Sequence, residues 1–350
     1  MQITELTASA AAGRTRAEAL VTWEDADRPP VRPFVEVEAT YGEGFAADPN
    51  GFLVAALLPA WHAGERRVTV EGSLCPVLRD NLGAATGTLR TWYPELGPPP
   101  QIEPTLGYAP HYPASGQALS FLSMGIDSLA TLRANRLNLP PDHPASIRAA
   151  LPVDVIREPG LSEPETAHQH AKRLAGASRV AAESGIGAIS VRTNLLQLDS
   201  DGWFFSYKWH GAVFASLAHF LSRRFSRAYI ASSCCPPQGA PWGSHQLLDA
   251  YYGTADLQVE HHGVHLRRFD KVALLAEWPV ALQNLLVCQG NDSGATNCGA
   301  CEKCLRTMTA LVAVGKLAEC GAFPIDDVPP ELLATVIDYG MVRSRDTAEH

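Results

Sequence analysis

Four cysteines crowd into 17 residues of a 350-residue chain: Cys288, Cys298, Cys301 and Cys304. The pattern Cys-x9-Cys-x2-Cys-x2-Cys offers four soft thiolates on one short segment, and each Cys-x2-Cys step turns the backbone around a single ion. Gly294 and Gly299 permit those turns. Four thiolates complete a tetrahedron and leave no open position, so the expected ion is a structural Zn²⁺. An Fe–S cluster also takes four cysteines, and ordinary core thiols are the plain alternative.

A second segment has the residues to hold an anion. Ser123-Met124-Gly125-Ile126-Asp127-Ser128 follows a short apolar run and opens a stretch with helical spacing. Gly125 lets backbone approach a phosphate, the Ser123 and Ser128 hydroxyls can bond its oxygens, and a helix N-terminus favours negative charge. Asp127 suits a role in holding Mg²⁺ or in capping that helix. Met124 leaves the turn intact if its φ stays negative. No Gly-Lys-Ser/Thr follows, so this is not a Walker A loop, and it is not GxGxxG either. The plain reading is a serine-rich turn.

Phosphate chemistry also needs cations. Arg192, Lys208, Arg267, Arg268 and Lys271 are the candidates, with Lys271 the preferred one; as single residues, all read equally well as solvated surface charges. Trp242, Ser244, His245 and Asp249 follow the fourth strand of the repeating pattern and are set to line a substrate pocket. Cys234-Cys235 raises the alternative of a persulfide-forming thiol. His261, His262 and His265 have no carboxylate at a telling metal spacing.

The elements that must position these residues alternate. Residues 117–123, 151–156, 188–194 and 227–233 read as strands, and 127–138, 162–185 and 208–225 as helices. Strand–helix alternation of this kind builds an α/β fold, a parallel sheet with helices on both faces, whose ligands sit at the C-terminal strand ends. The expected organisation is a small α+β domain at 1–100, a Pro/Gly-rich linker at 101–116, the α/β domain at 117–325 and a tail at 326–350. In the first of these, 34–39 and 66–72 alternate as half-buried strands and 75–93 has helical spacing.

Composition narrows the function classes. Apolar residues at 46% and charged residues at 19% exclude a disordered chain. A net charge of −9 argues against a general nucleic-acid coat and against an RNA substrate, although basic residues cluster at 172–179, 223–227 and 267–271. No secretory pattern opens the chain, and no apolar run approaches membrane-spanning length. The expectation is a soluble, cytoplasmic protein with no membrane or nucleic-acid partner.

The segment 123–128 resembles the SGGxDS loop of the PP-loop (N-type) ATP pyrophosphatases, a HUP-like fold, with Met124 standing where that family has its first Gly. Joined to the four-Cys pattern, the chain resembles the 7-cyano-7-deazaguanine synthase family over residues 117–315, as a divergent member. A helix followed by a strand ending in Val191-Arg192-Thr193-Asn194 matches its layout; the first 100 residues have no counterpart. The resemblance implies an enzyme that uses ATP, Mg²⁺ and Zn²⁺ to adenylate a carboxylate or amide, releases pyrophosphate, and lets a nitrogen nucleophile displace AMP. It implies that Ser123, Met124, Gly125, Ile126, Asp127 and Ser128 bind the nucleotide; Asp127 within that loop and Lys271, the cation preferred from the sequence, are the expected catalytic residues. The partners expected are a small carboxylate or amide, a protein acceptor for the extra domain, or a second copy of the chain. A sulfur-transferring relative, a tRNA-modifying enzyme and a non-catalytic nucleotide-binding module are the alternatives.

Overall fold

A computed structural model describes residues 1–109, 116–155, 164–233, 239–288 and 296–332, with side chains omitted over 164–169. The strands are β1 (Gln2–Ala11), β2 (Arg14–Thr22), β3 (Phe34–Glu38), β4 (Arg67–Val70), β5 (Gln101–Pro104), β6 (Ala118–Phe121), β7 (Ile147–Leu151), β8 (Val153–Val155), β9 (Gly187–Ala188), β10 (Val191–Thr193), β11 (Arg227–Ala231) and β12 (Gln258–His262). The helices are α1 (Pro49–His62), α2 (Pro76–Trp92), α3 (Ile126–Asn138), α4 (Pro164–Glu183), the single turn α5 (Gly202–Phe204), α6 (His210–His219), α7 (Arg268–Ala276), α8 (Pro279–Asn284) and α9 (Glu302–Ala313).

The α/β class expected from the alternation is present, built on two sheets. One has five parallel strands in the order β12-β11-β6-β7-β9. The other has seven strands of mixed direction, β5-β4-β1-β2-β3-β10-β8. Two runs that read as single strands in the sequence are each divided between the sheets. Residues 147–155 leave the parallel sheet at Leu151 and join the mixed sheet at Val153, because Pro152 has no N–H for either ladder. Residues 187–193 make the same crossing beside them, with Ile189 N–H bonded to the Ala150 carbonyl (2.9 Å) and Val191 N–H to that of Pro152 (3.0 Å).

This crossing also joins the two halves of the chain. β3 pairs with β10, and one hydrophobic core runs from Ile3, Val35 and the α1 residues Phe52–Leu58 to Leu119, Phe121 and Ile230 of the parallel sheet. The sequence division near residue 100 thus falls within a shared core. On the other face of the parallel sheet, Leu122 and Met124 pack with α3, α4 and α7–α9 in a second core. Side chains alternate along β6, so the turn after it has one helical layer on each side.

The helix expected over 208–225 is shorter than its pattern. A π-helical turn occupies Phe205–Trp209, α6 ends at His219, and 220–224 forms turns. The fully buried Trp209 donates its Nε1–H to the Ala55 carbonyl (2.9 Å), a tertiary anchor at the end of the widened turn. No helix among the described residues is long and apolar enough to cross a membrane.

Candidate functional site

The turn after β6 sits at the C-terminal end of the parallel sheet and opens α3. Its backbone differs from the expectation for Met124. Met124 has φ +66°, in the left-handed region, and Gly125 is extended at φ −78° and ψ 164°. The sharp reversal is therefore made by the methionine, not the glycine. Its cost of about 1–2 kcal/mol is offset by burial. The side chain is fully enclosed in the second core, and its carbonyl accepts from Leu286 N–H at 2.9 Å. Gly125 contributes by its small size: a Cβ there would meet Ser123 Oγ at 3.4 Å.

The hydroxyls of Ser123 and Ser128 converge. Ser123 Oγ and Ser128 Oγ are 3.2 Å apart, Gly125 N–H donates to Ser123 Oγ (3.4 Å), and Ser128 Oγ donates to the Gly125 carbonyl (3.0 Å). Ile126 begins α3 and buries its side chain, leaving its backbone to the turn. Asp127 caps nothing, since α3 has no side-chain cap. Its carboxylate instead accepts from Lys271 Nζ (2.9 Å), just under one turn into α7, and from Arg268 Nη1 (2.7 Å) at the start of that helix.

Lys271 is buried, and its ammonium also donates to the Ser232 carbonyl at the end of β11. It thus ties the end of β11 to the first turn of α3 with one charge. Burial pulls Arg268 below the usual arginine range, with Asp127 opposing that fall; the group remains a cation. The buried Nε of Arg268 has no hydrogen-bond partner among the described residues. Asp127 and Lys271, singled out separately in the sequence, are in contact. Arg268 was one member of a basic run, and only the fold distinguishes it from Arg267, which closes on Asp270 at the surface.

The other cations are elsewhere. Arg192, on β10 of the mixed sheet, pairs with Asp154 (3.3 Å) and Glu36 (3.5 Å). Lys208 is buried over the rings of Tyr93 and Trp203 and bonded to Glu95 (3.0 Å). Both are engaged in structural pairs.

The four cysteine sulfurs lie within 4.8 Å of one another. Cys298 Sγ and Cys304 Sγ are 3.8 Å apart, and Cys301 Sγ and Cys288 Sγ 3.9 Å. A tetrahedron with metal–sulfur bonds of about 2.3 Å has edges of about 3.8 Å, whereas a disulfide needs about 2.05 Å. The set is thus arranged to take a metal such as zinc. Burial opposes ionisation of Cys298, but N–H groups of Ala300 (3.5 Å) and Cys301 (3.3 Å) point at its sulfur and bring it down to about 7. Burial pushes the Cys304 thiol up, which a bound cation would reverse. Gly299 has φ +73°, and a Cβ would meet Pro324 Cγ at 2.9 Å, so only glycine fits this turn. Gly294, like Cys234 and Cys235, lies outside the described residues.

Sequence reasoning passed over Asn297, the strut of this centre. It is fully buried: Oδ1 accepts from Val287 N–H (2.8 Å) and Cys288 N–H (3.1 Å), and Nδ2 donates to the carbonyls of Leu285 (2.8 Å) and Ala322 (2.9 Å). One side chain thereby clasps the segment carrying the first ligand to the segment carrying the others. The same 285–288 segment supplies the Leu286 bond to Met124. Metal centre and phosphate-type turn share a wall.

On the opposite face of the sheet, Asp249 is fully buried and accepts from Ser244 Oγ (2.7 Å), His245 N–H (3.2 Å) and His261 Nδ1 (2.7 Å). The carboxylate thus holds the His261 ring by its Nδ1. Trp242 packs edge-on against Tyr207 (4.7 Å between ring centres) and His210 (5.7 Å). His261 lies near the end of β12, and among the described residues the histidines do not form a metal-ligand set. No family model, curated protein or solved structure matches the chain.

Proposed function

We propose that the chain is a divergent PP-loop enzyme of HUP-like fold, which cleaves ATP to AMP and pyrophosphate to activate a carboxylate or amide for a nitrogen nucleophile. The observation that carries this reading is the turn itself. Two hydroxyls 3.2 Å apart open a helix at a parallel-sheet end, with two cations from α7 held beside them on Asp127. A helix N-terminus, hydroxyl donors and fixed cations suit the β- and γ-phosphates of a nucleotide.

In the first step a substrate oxygen attacks the α-phosphorus, and the bond to the β-phosphate bridging oxygen breaks. Negative charge grows on the departing pyrophosphate, where Ser123, Ser128, Arg268 and Lys271 receive it. Asp127 acts as a positioning residue that aims both cations, and Mg²⁺ bound with the nucleotide would add charge neutralisation. In the second step the amine attacks the activated carbonyl, AMP leaves, and a proton is released. The acyl group is assigned to the side of Trp242, Ser244 and His245. The four-cysteine centre holds structural Zn²⁺, since its ligand set is complete without solvent.

Product analysis tests the proposal. Purified protein given ATP and a panel of carboxylates with ammonia is expected to release AMP and pyrophosphate in equal amounts. ADP and phosphate as the products would contradict it.

A further inference from the structure

The second step of the proposed reaction releases a proton from the attacking nitrogen. The carboxylate of the 123–128 turn already accepts from two cations, Arg268 and Lys271, and those cations have no lone pair to offer. Asp249 and His261 stand at the same end of the sheet with the groups that step lacks. Asp249 is fully buried and uses both oxygens: Oδ2 meets Ser244 Oγ and His261 Nδ1, each at 2.7 Å, and Oδ1 accepts from His245 N–H (3.2 Å). Nε2 of His261 has no hydrogen-bond partner among the described residues. A carboxylate on one nitrogen of an imidazole orients the ring and stabilises its protonated form. The other titratable neighbours are His210, His245 and His262, each with its pKa lowered by burial, and Glu260, which is paired with Arg227 (2.7 Å). The sheet sets the pair beside the turn. His261 is level with Ile230 of β11, one residue past Tyr229, which is level with Ser120 of β6. His261 is therefore two strand spacings, about 10 Å, from Phe121, the last residue of β6, and on the same face of the sheet. The turn begins two residues after Phe121. Hydrogen bonds make the same link: the His262 carbonyl accepts from Ser232 N–H (2.8 Å), and the Ser232 carbonyl accepts from the Lys271 ammonium that holds Asp127.

We propose that His261 is the general base of the second step, with Asp249 as its positioning residue. This rests on the adenylating reading of the site. The lone pair of the nitrogen nucleophile forms the bond to the acyl carbon. The bond from that carbon to the AMP oxygen breaks, and its electron pair leaves with AMP. The N–H proton passes to His261 Nε2 while Nδ1–H stays on Asp249, and Nε2 then returns the proton to solvent. The competing role is that of a strut, because the same hydrogen bonds tie residues 244–249 to β12.

Three rates measured on the full-length protein with the carboxylate panel separate the roles: ATP–pyrophosphate exchange, amide formation with ammonia, and hydroxamate formation with hydroxylamine. Exchange is complete before any nitrogen arrives, so it reports folding and adenylation alone. Hydroxylamine is a weaker base than ammonia and needs less help in losing its proton. His261→Gln keeps a donor for Asp249. It is expected to exchange pyrophosphate near the wild-type rate, to lose about 100-fold in amide formation, and to recover most of the wild-type rate with hydroxylamine. Asp249→Asn should show the same pattern to a smaller degree. Amide formation by His261→Gln at the wild-type rate would overturn the inference and leave the adenylation reading standing. Equal losses in all three rates would overturn it in favour of the strut. Absence of exchange from the wild-type protein across the panel would remove both.

Discussion

Met124 is the residue at which the sequence pattern and the backbone disagree most. A methionine at φ +66° is strained, yet its side chain reaches the core between α3 and α4, with Cε 3.4 Å from where a Cβ on Gly176 would lie. Met124→Gly would relieve about 1–2 kcal/mol of strain and forfeit about 2–5 kcal/mol of buried contacts. Net destabilisation is expected as a lower urea midpoint, and a raised midpoint would contradict it. Asn297→Ala is the harsher change. It strips partners from four buried backbone groups at once, at a cost of about 3 kcal/mol or more. Thermal unfolding at a lower temperature together with easier zinc loss to a chelator is the predicted pair of results; unchanged metal retention would show that Asn297 does not brace the centre.

Among the elements, those with strong periodicity were legible. α3 begins within a residue of where the helical pattern starts, and Gly185, at φ +68°, stands just past α4. The four metal ligands were readable because thiolate spacing is a local property. Contacts between distant segments were not. β1 and β2 are long strands rich in Ala and Thr, with few of the β-branched apolar residues that announce a strand, and the Ala12-Gly13 turn with both φ values positive is what closes the hairpin. The crossing at Pro152 and Ile189 is equally invisible, since nothing in a run such as 151–156 says which sheet will take which residue. Asp127, Arg268 and Lys271 meet only because α7 packs on α3 across more than 140 positions of sequence.

At the scale of the whole molecule, acid sensitivity follows from buried histidines. Burial lowers the pKa of His219, whose Nε2 donates to the Tyr252 carbonyl (2.8 Å), and of His210. A histidine with a depressed folded pKa stays neutral in the native state, while the unfolded chain takes up a proton below about 6.5. Stability is therefore full above that pH and falls as pH drops through it, by up to about 1.4 kcal/mol per pH unit for each such group. Urea midpoints should decline between pH 7 and 5.5, before carboxylates titrate, and the decline should shrink in His219→Gln compared at its own pH 7 value. A flat profile would contradict the assignment of neutral buried imidazoles.

The molecule also offers a place for a ligand away from the proposed site. A cavity of about 570 Å³, bordered by Asp48, Asn50, Cys75, His219 and Arg223, lies at the opposite end of the parallel sheet, near the starts of β6 and β11. A crystal structure of the complex with a non-hydrolysable ATP analogue distinguishes the two locations directly. The account predicts the β- and γ-phosphates against Ser123, Gly125 and Ser128, within reach of Lys271 and Arg268. Phosphates bound instead at the α1 end of the sheet, with the 123–128 turn bare, would contradict it.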